Sequence, residues 1–394
     1  MRFKNIYPMA VGILLLVMGM LLPNQVKAAE SDFTIKDGVL TKYTGTEKEV
    51  TIPETVTQIS KDAFYSNKEL VTVIIPDSVT EIGNTAFGNC EKLKNVTLPE
   101  SIRTIGNGAF WNCVSLIDIN IPKSVVTIGK EAFALTPWLD VKRNENPLVI
   151  INGTLIDGTK ATGRVTLPKS VKTISGSAFS MNKNITAIII PDSVTSIGDG
   201  AFYNCLKLET VVMSDSVTSI GSDIFRLCKG LKNITLSKSL LTIPDFAFAG
   251  CSSLTAITIP GQVTTIGGSA FSSCKNLKSV TAADKVKKIN SGVFNGKNKS
   301  LTLYGFEGSY LQKYAKANKI SFKKLALNTS KSTLSKGKTD TLKLNSLSEC
   351  TWKSSNTAVA AVDKNGKVSA KKKGTVTITA SRYDKAFRCT VTVK

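Results

Sequence analysis

The sequence predicts a repeat solenoid with a 23-residue period and a parallel β face, followed by a small all-β sandwich. Three observations carry this reading. Phe64, Phe87, Phe110, Phe133, Phe179, Phe202, Phe225, Phe248, Phe271 and Phe294 stand 23 residues apart, except for one interval of 46 in which Ile156 holds the missing slot. Strict self-similarity at this period means stacked coils, each burying its apolar side against its neighbours. Proline recurs at a second fixed offset, as Pro53, Pro76, Pro99, Pro122, Pro168, Pro191 and Pro260. Beyond about Leu325 the period stops, and short alternating segments separated by turns take over.

The chain of 394 residues is 42% hydrophobic and 20% charged, the balance of a globular protein. It contains no histidine, which excludes Ser-His-Asp and Cys-His nucleophiles and histidine-ligated zinc. No nucleophile elbow and no acidic pair outside the repeat period is present, so no catalytic residue, no metal site and no cofactor is expected.

In chain order, the first element is an address. Arg2 and Lys4 precede an apolar run from Met9 to Leu22, then Pro23 and Val26-Lys27-Ala28-Ala29. This is the pattern of a secretory signal peptide over residues 1–28. The run is shorter than the roughly 20 residues that span a bilayer, so no transmembrane segment is expected in the mature chain. With no sorting motif or apolar tail at Thr392-Val393-Lys394, the expected product is secreted or held non-covalently at the cell surface.

Residues 29–322 form the solenoid. In Leu93-Lys94-Asn95-Val96-Thr97-Leu98-Pro99, the alternation around Val96 reads as a three-residue strand with Thr97 outward. Pro99, lacking an N–H, ends it. The following Ile-Gly pairs at 82–83, 105–106, 128–129, 197–198, 220–221 and 266–267 suggest glycine at a positive φ. Pro244 interrupts that column, so its coil is expected to bend differently. Residues 37–64 and 152–179 align without gaps at an offset of 115, as an N-terminal cap and a cap-like unit that divides the array. Pro137 to Pro147 would bulge before the second.

Cys90, Cys113, Cys205, Cys228, Cys251 and Cys274 each lie three residues after a repeat phenylalanine. Stacked coils bring such a column within disulfide range, so bridges such as Cys90–Cys113 stay open, although buried thiols are favoured. Asn67, Thr136, Asn182 and Lys297 fill the same slot elsewhere, as if it accepts a small or polar group.

The solenoid residues resemble the BspA-type bacterial leucine-rich repeats over roughly residues 50–296, with 297–322 similar to the family's C-terminal cap. The resemblance implies a curved solenoid used for adhesion or partner binding at bacterial surfaces. Residues 323–394 have their own grammar. Trp352-Lys353-Ser354-Ser355-Asn356, Val359 to Asp363, Gly366-Lys367-Val368 and Gly374 to Ile378 resemble the bacterial Ig-like group 2 domain, which implies a stalk, spacer or wall-proximal module. Asn365-Gly366 marks a tight hairpin. A Cys350–Cys389 bridge between two strands stays open.

The outward strand row supplies the ligand-binding candidates Thr97, Asn120, Thr166, Ile189, Val212, Thr235, Thr258 and Thr281, with Thr51, Ile74 and Arg143 at the equivalent positions. Exposed threonines also simply favour strands. Glu54, Asp77, Glu100, Asp192 and Asp215, just after the strand exits, are expected to accept turn N–H bonds. Tyr65, Trp111 and Tyr203 either stack on sugars or cover the convex edge.

Net charge is +22, but residues 30–250 hold 22 basic and 23 acidic side chains, against 26 and 6 in residues 251–394. The basic C-terminal third, with Lys371, Lys372 and Lys373, suits an anionic cell-wall polymer, or is a solvated surface. The expected partners are a host or bacterial surface protein or glycan; no nucleic acid is expected.

Overall fold

A computed structural model describes residues 28–297, 299–346 and 350–394. The expected signal peptide therefore lies outside the described residues, Ala28 apart. The repeat builds a β-solenoid with two parallel ladders per coil. On the longer ladder, Glu49–Thr51, Thr72–Ile74, Asn95–Thr97 and Asp118–Ile119 pair with a constant shift of 23 residues. Gly163–Thr166, Ile185–Ile190, Thr210–Met213 and Asn233–Thr235 form a second set, and Ala256–Thr258, Ser279–Thr281, Thr302–Gly305 and Ser321–Lys324 a third. Two-residue strands such as Glu81–Ile82 and Thr104–Ile105 form the shorter ladder.

The phenylalanines stack as the period demands. Rings of Phe64, Phe87, Phe110 and Phe133 follow one another at 4.8–5.5 Å, and those from Phe179 to Phe294 at 5.1–5.7 Å. The first column is closed below by Tyr43 and the second above by Tyr314. Each strand-exit proline has a further role: its carbonyl accepts the N–H three residues on, as in Val79 to Pro76 at 3.1 Å, and closes the turn.

The core divides in two, residues 33–149 and 155–320, as the aligned caps predict. Ile156, however, does not take the missing ring position. It sits on strand Thr154–Asp157, half-buried, and Trp138 packs on Phe133 instead, at 4.7 Å. Trp138 belongs to helix α1, Pro137–Glu145, which replaces the expected bulge. Thr136 caps α1 by accepting the Leu139 N–H, and Pro137 at the first position has no N–H to waste. This also corrects Arg143. It is a helix residue rather than an outward strand position, and its guanidinium forms a two-pronged pair with the buried Asp157 carboxylate at 2.7 and 3.0 Å.

The Ile-Gly column is corrected as well. Gly83, Gly106, Gly129, Gly198, Gly221 and Gly267 do not have positive φ. A Cβ on them would lie 2.4–2.6 Å from a backbone nitrogen of the coil below, so glycine is there because two backbones touch. Pro244 does interrupt this contact: Thr242–Ile243 pairs with Thr265–Ile266 but not with Ser219–Ile220, and the shorter ladder restarts there.

The array ends in strand Thr302–Gly305, helix α2 (Tyr310–Ala317) and strand Ser321–Lys324, which still pairs with the solenoid. Beyond it, sheets Lys331–Leu334/Lys385–Val393/Gly374–Arg382/Thr351–Ser354 and Thr339–Thr341/Lys367–Ala370/Ala360–Val362 enclose Leu342, Val368, Ile378, Cys389 and Val391. Asp363 accepts the Asn365 and Lys367 N–H groups in the predicted Asn365-Gly366 hairpin. Cys90, Cys113, Cys205, Cys228, Cys251, Cys274 and Cys389 are free thiols.

Candidate functional site

The longer ladder presents one row of side chains outward from each coil, and no helix among the described residues covers it. Thr97, Asn120, Thr166, Val212 and Thr235 are exposed on this strand face, with Thr51 and Ile74 below them. Ile189 is half-buried beside Val212 and makes a small apolar patch. Two residues earlier, Asn95, Asp118, Arg164 and Asn233 are also exposed, whereas Thr72 and Thr210 are half-buried and Ala187 is buried. Two blocks of four coils, separated by helix α1, thus each offer a row held rigidly by the ladder behind it.

The C-terminal end differs from the expectation. Thr258 is half-buried and Thr281 is only 1% exposed, so Thr281 is not a free surface residue. Its hydroxyl hydrogen-bonds Ser346 of the Ig-like module, which folds back onto the last coils instead of extending as a stalk. The contact is broad. The Tyr383 hydroxyl donates to the Ile259 carbonyl at 2.9 Å, Lys385 pairs with Asp284 at 2.9 Å, and Phe306 packs against Tyr383 and Phe387. Asn345 grips the join, its amide donating to the Lys324 carbonyl and its oxygen accepting the Ala326 N–H. Burial pushes the Tyr383 phenol up to about 12.

Between this module and the strand face lies a cleft of about 920 Å³. Ile234, Ile257, Lys232, Asn233 and Ala256 line its solenoid side, and Arg382-Tyr383-Asp384, the tip of the Gly374–Val393 hairpin, lines the other. Sequence reasoning missed this tip. Its turn residues Tyr383 and Asp384 both adopt positive φ without the Asn-Gly or Asp-Gly pair that marks such turns, so no local signal was available.

The acids after the strand exits also act differently from the expectation. In the Asp215 coil the Ser214 carbonyl already takes the turn N–H of Val217, and Asp215 instead accepts the Lys238 N–H of the next coil at 2.9 Å. That bond, reinforced by the Lys238 ammonium at 3.0 Å, holds its carboxyl below the usual range. Tyr65 is exposed against Gly88, while Trp111 and Tyr203 are half-buried, all on the turn side away from the strand row. Lys371, Lys372 and Lys373 are exposed on the Ig-like module, which carries fourteen basic and four acidic side chains after Lys324. No helix among the described residues is long and apolar enough to cross a membrane.

Comparison with known proteins agrees with this architecture. The BspA type leucine rich repeat region matches at residues 34–160, 149–278 and 242–359, and the intimin immunoglobulin-like domain at residues 348–384. No curated protein sequence matches. Among solved structures, a leucine rich cell surface protein from Faecalibacterium prausnitzii is 26% identical, covering 72% of this chain and 94% of that one, with a TM-score of 0.39. A leucine-rich repeat protein from Eubacterium ventriosum is 26% identical over 67% and 88%, TM-score 0.43. The pneumococcal vaccine antigen PcpA is 20% identical over 70% and 78%, TM-score 0.39. With its repeats matched from residue 34 onward and an Ig-like module at its end, the chain belongs to the BspA-type leucine-rich repeat family.

Proposed function

We propose that this chain is an exported, non-enzymatic binding or adhesion protein of the bacterial surface, which engages a host or bacterial surface protein or glycan through its strand face. The observation that carries this is the pair of uncovered strand rows over 51–120 and 166–235, mostly small and hydroxylated and each backed by a fixed ladder. Such a face gives many weak contacts in register, and copies crowded on a surface would gain avidity. Family membership supports the same reading. The test is retention of the full chain on immobilised host matrix proteins, glycans and bacterial surface extracts. Thr97→Arg combined with Val212→Arg is expected to abolish retention without unfolding the protein; unchanged retention would remove the strand face from consideration.

A second reading rests on the exposed lysine triplet and the basic excess of the Ig-like module. On it, the C-terminal third binds an anionic cell-wall polymer. Charge-driven retention collapses as salt is raised and is weakened by changing Lys371, Lys372 and Lys373 to Glu, whereas strand-face binding persists at high salt.

A further inference from the structure

The strand face is broken at two places: helix α1 interrupts it between Asp118–Ile119 and Gly163–Thr166, whereas no helix intervenes between Asn233–Thr235 and Ala256–Thr258, and that second break has the shape of a missing strand. In the intact ladder the Ile52 N–H donates to the Ile74 carbonyl at 3.0 Å and the Thr72 N–H to the Lys48 carbonyl at 2.9 Å. The equivalent partners at the break are Leu236 with Thr258 and Ala256 with Lys232. Neither bond forms among the described residues. Strands Asn233–Thr235 and Ala256–Thr258 each pair on their far side only, and their Cα atoms lie mostly more than 8 Å apart. Paired strands sit about 4.8 Å apart, so one added strand would need roughly twice that.

The coils have opened on this side alone. Behind the break, Phe225, Phe248 and Phe271 keep their 5.5 and 5.3 Å stacking, and the Phe225 N–H still donates to the Ala247 carbonyl at 2.9 Å. The opening uncovers a core position. Ile234 is half-buried, whereas its equivalents Val50, Val73, Val211 and Val280 are at most 1% exposed. The floor of the cleft is therefore apolar, and its two walls are strand edges with unpaired N–H and C=O groups, the template to which an extended chain adds. A sugar would want an aromatic platform. The Tyr383 ring at the rim is already committed to Phe306 and to the backbone at Gly261.

We propose that the gap between Asn233–Thr235 and Ala256–Thr258 receives one extended peptide segment of a partner protein, which pairs with both edges and sets an apolar side chain on Ile234. The hairpin tip Arg382-Tyr383-Asp384 walls the slot on the module side and contributes no strand to it. The proposal deepens the reading of the strand face as a recognition surface by naming the class of partner.

The probe is a displayed library of short random peptides selected on the full chain, with amide hydrogen exchange as the readout. In the free chain, the Leu236, Ala256 and Thr258 amides are expected to exchange much faster than those of Ile52 and Thr72. Enriched peptides are expected to protect these three amides. Thr258→Pro removes a donor that faces only the gap, and should weaken the peptide by roughly three- to tenfold, the loss of one hydrogen bond. Ala256→Trp, at an exposed position on the rim, should abolish binding if the proline variant does not fold. Slow exchange in the free chain, no enriched peptide, or enriched peptides that protect other amides would each overturn the proposal. Peptides bound in the slot together with surface retention that survives Thr97→Arg and Val212→Arg would sink the broader reading and leave the slot standing.

Discussion

At the scale of single residues, the cysteine column is a column of hydrogen-bond donors. Cys90 donates its S–H to the Phe64 carbonyl, Cys113 to Phe87, Cys205 to Phe179, Cys228 to Phe202, Cys251 to Phe225 and Cys274 to Phe248, at 2.9–3.1 Å. Each acceptor is buried one coil below, where no water reaches it. The substitutes at this slot obey the same requirement. Asn182 donates to the carbonyls of Gly158, Thr159 and Ala161, Asn67 to that of Gly45, and Thr136 to that of Phe133. At Asn182, where the coil rests on the cap-like unit, three backbone carbonyls turn toward the slot. Deleting the donor leaves the Phe202 carbonyl with the Cys205 N–H alone, at 3.3 Å, and opens a small void, so Cys228→Ala is expected to cost about 1–2 kcal/mol in chemical denaturation, and Cys228→Ser distinctly less. Equal losses for the two variants would mean that only volume matters here. Burial also pushes the Cys90 and Cys274 thiols up to about 12. At neutral pH the six column thiols should resist iodoacetamide until the chain unfolds, and fast alkylation of the native protein would contradict this burial.

At the scale of the coil, the closest approach lies at the glycines rather than at the rings. A Cβ on Gly106 would meet the Asn84 nitrogen at 2.6 Å and the Gly83 carbonyl carbon at 2.6 Å, and backbone cannot swing aside as a side chain can. Gly106→Ala should therefore force two coils apart and cost roughly 1–3 kcal/mol, the usual range for overpacking, seen as a lowered Tm; an unchanged Tm would refute the contact. This column shows what sequence can and cannot reveal. The 23-residue recurrence made ladders, ring stacks and the two-block core legible, because a repeat must place like beside like. It did not distinguish a glycine required by φ from one required by a neighbour, since both leave the same letter. Trp138 was equally hidden: it enters the ring column from a helix outside the period, and only Thr136-Pro137 announced where that helix starts. The opening beside Ile234 left no mark either, because Asn233-Ile234-Thr235 has the alternation of any paired strand.

At the scale of the whole molecule, the Ig-like module is a clamp on the last coils, and the candidate face is divided by it. Thr51 to Thr235 stay open, while Thr258 and Thr281 lie under or beside the module. This division was not legible beforehand because Thr281 carries the same residue type as the exposed members of its row; only the Ser346 contact sets it apart. The contact joins oppositely charged groups, Lys385 with Asp284 and Lys285 with Asp384 at 3.8 Å, but both pairs are largely solvated and worth little alone. Tyr383 is the half-buried anchor. Its phenol is held neutral by burial, with the folded value raised to about 12 against about 10 in an unfolded chain. A raised value of this kind means that docking has full support below about pH 10 and loses it as pH rises toward about 12. The module should therefore release in that window, visible as an increase in the radius of gyration by small-angle scattering. Tyr383→Phe gives up the bond to the Ile259 carbonyl but has no proton to lose, so its docking, weaker at neutral pH, should lack the tyrosine-specific part of the alkaline release. Tyr383→Ala should undock the module at neutral pH and split a single calorimetric transition into two. A wild-type chain that already melts in two separate steps, or an alanine variant with unaltered dimensions, would show that the hairpin tip does not hold the two parts together, and the closed end of the strand face would then be open to a partner.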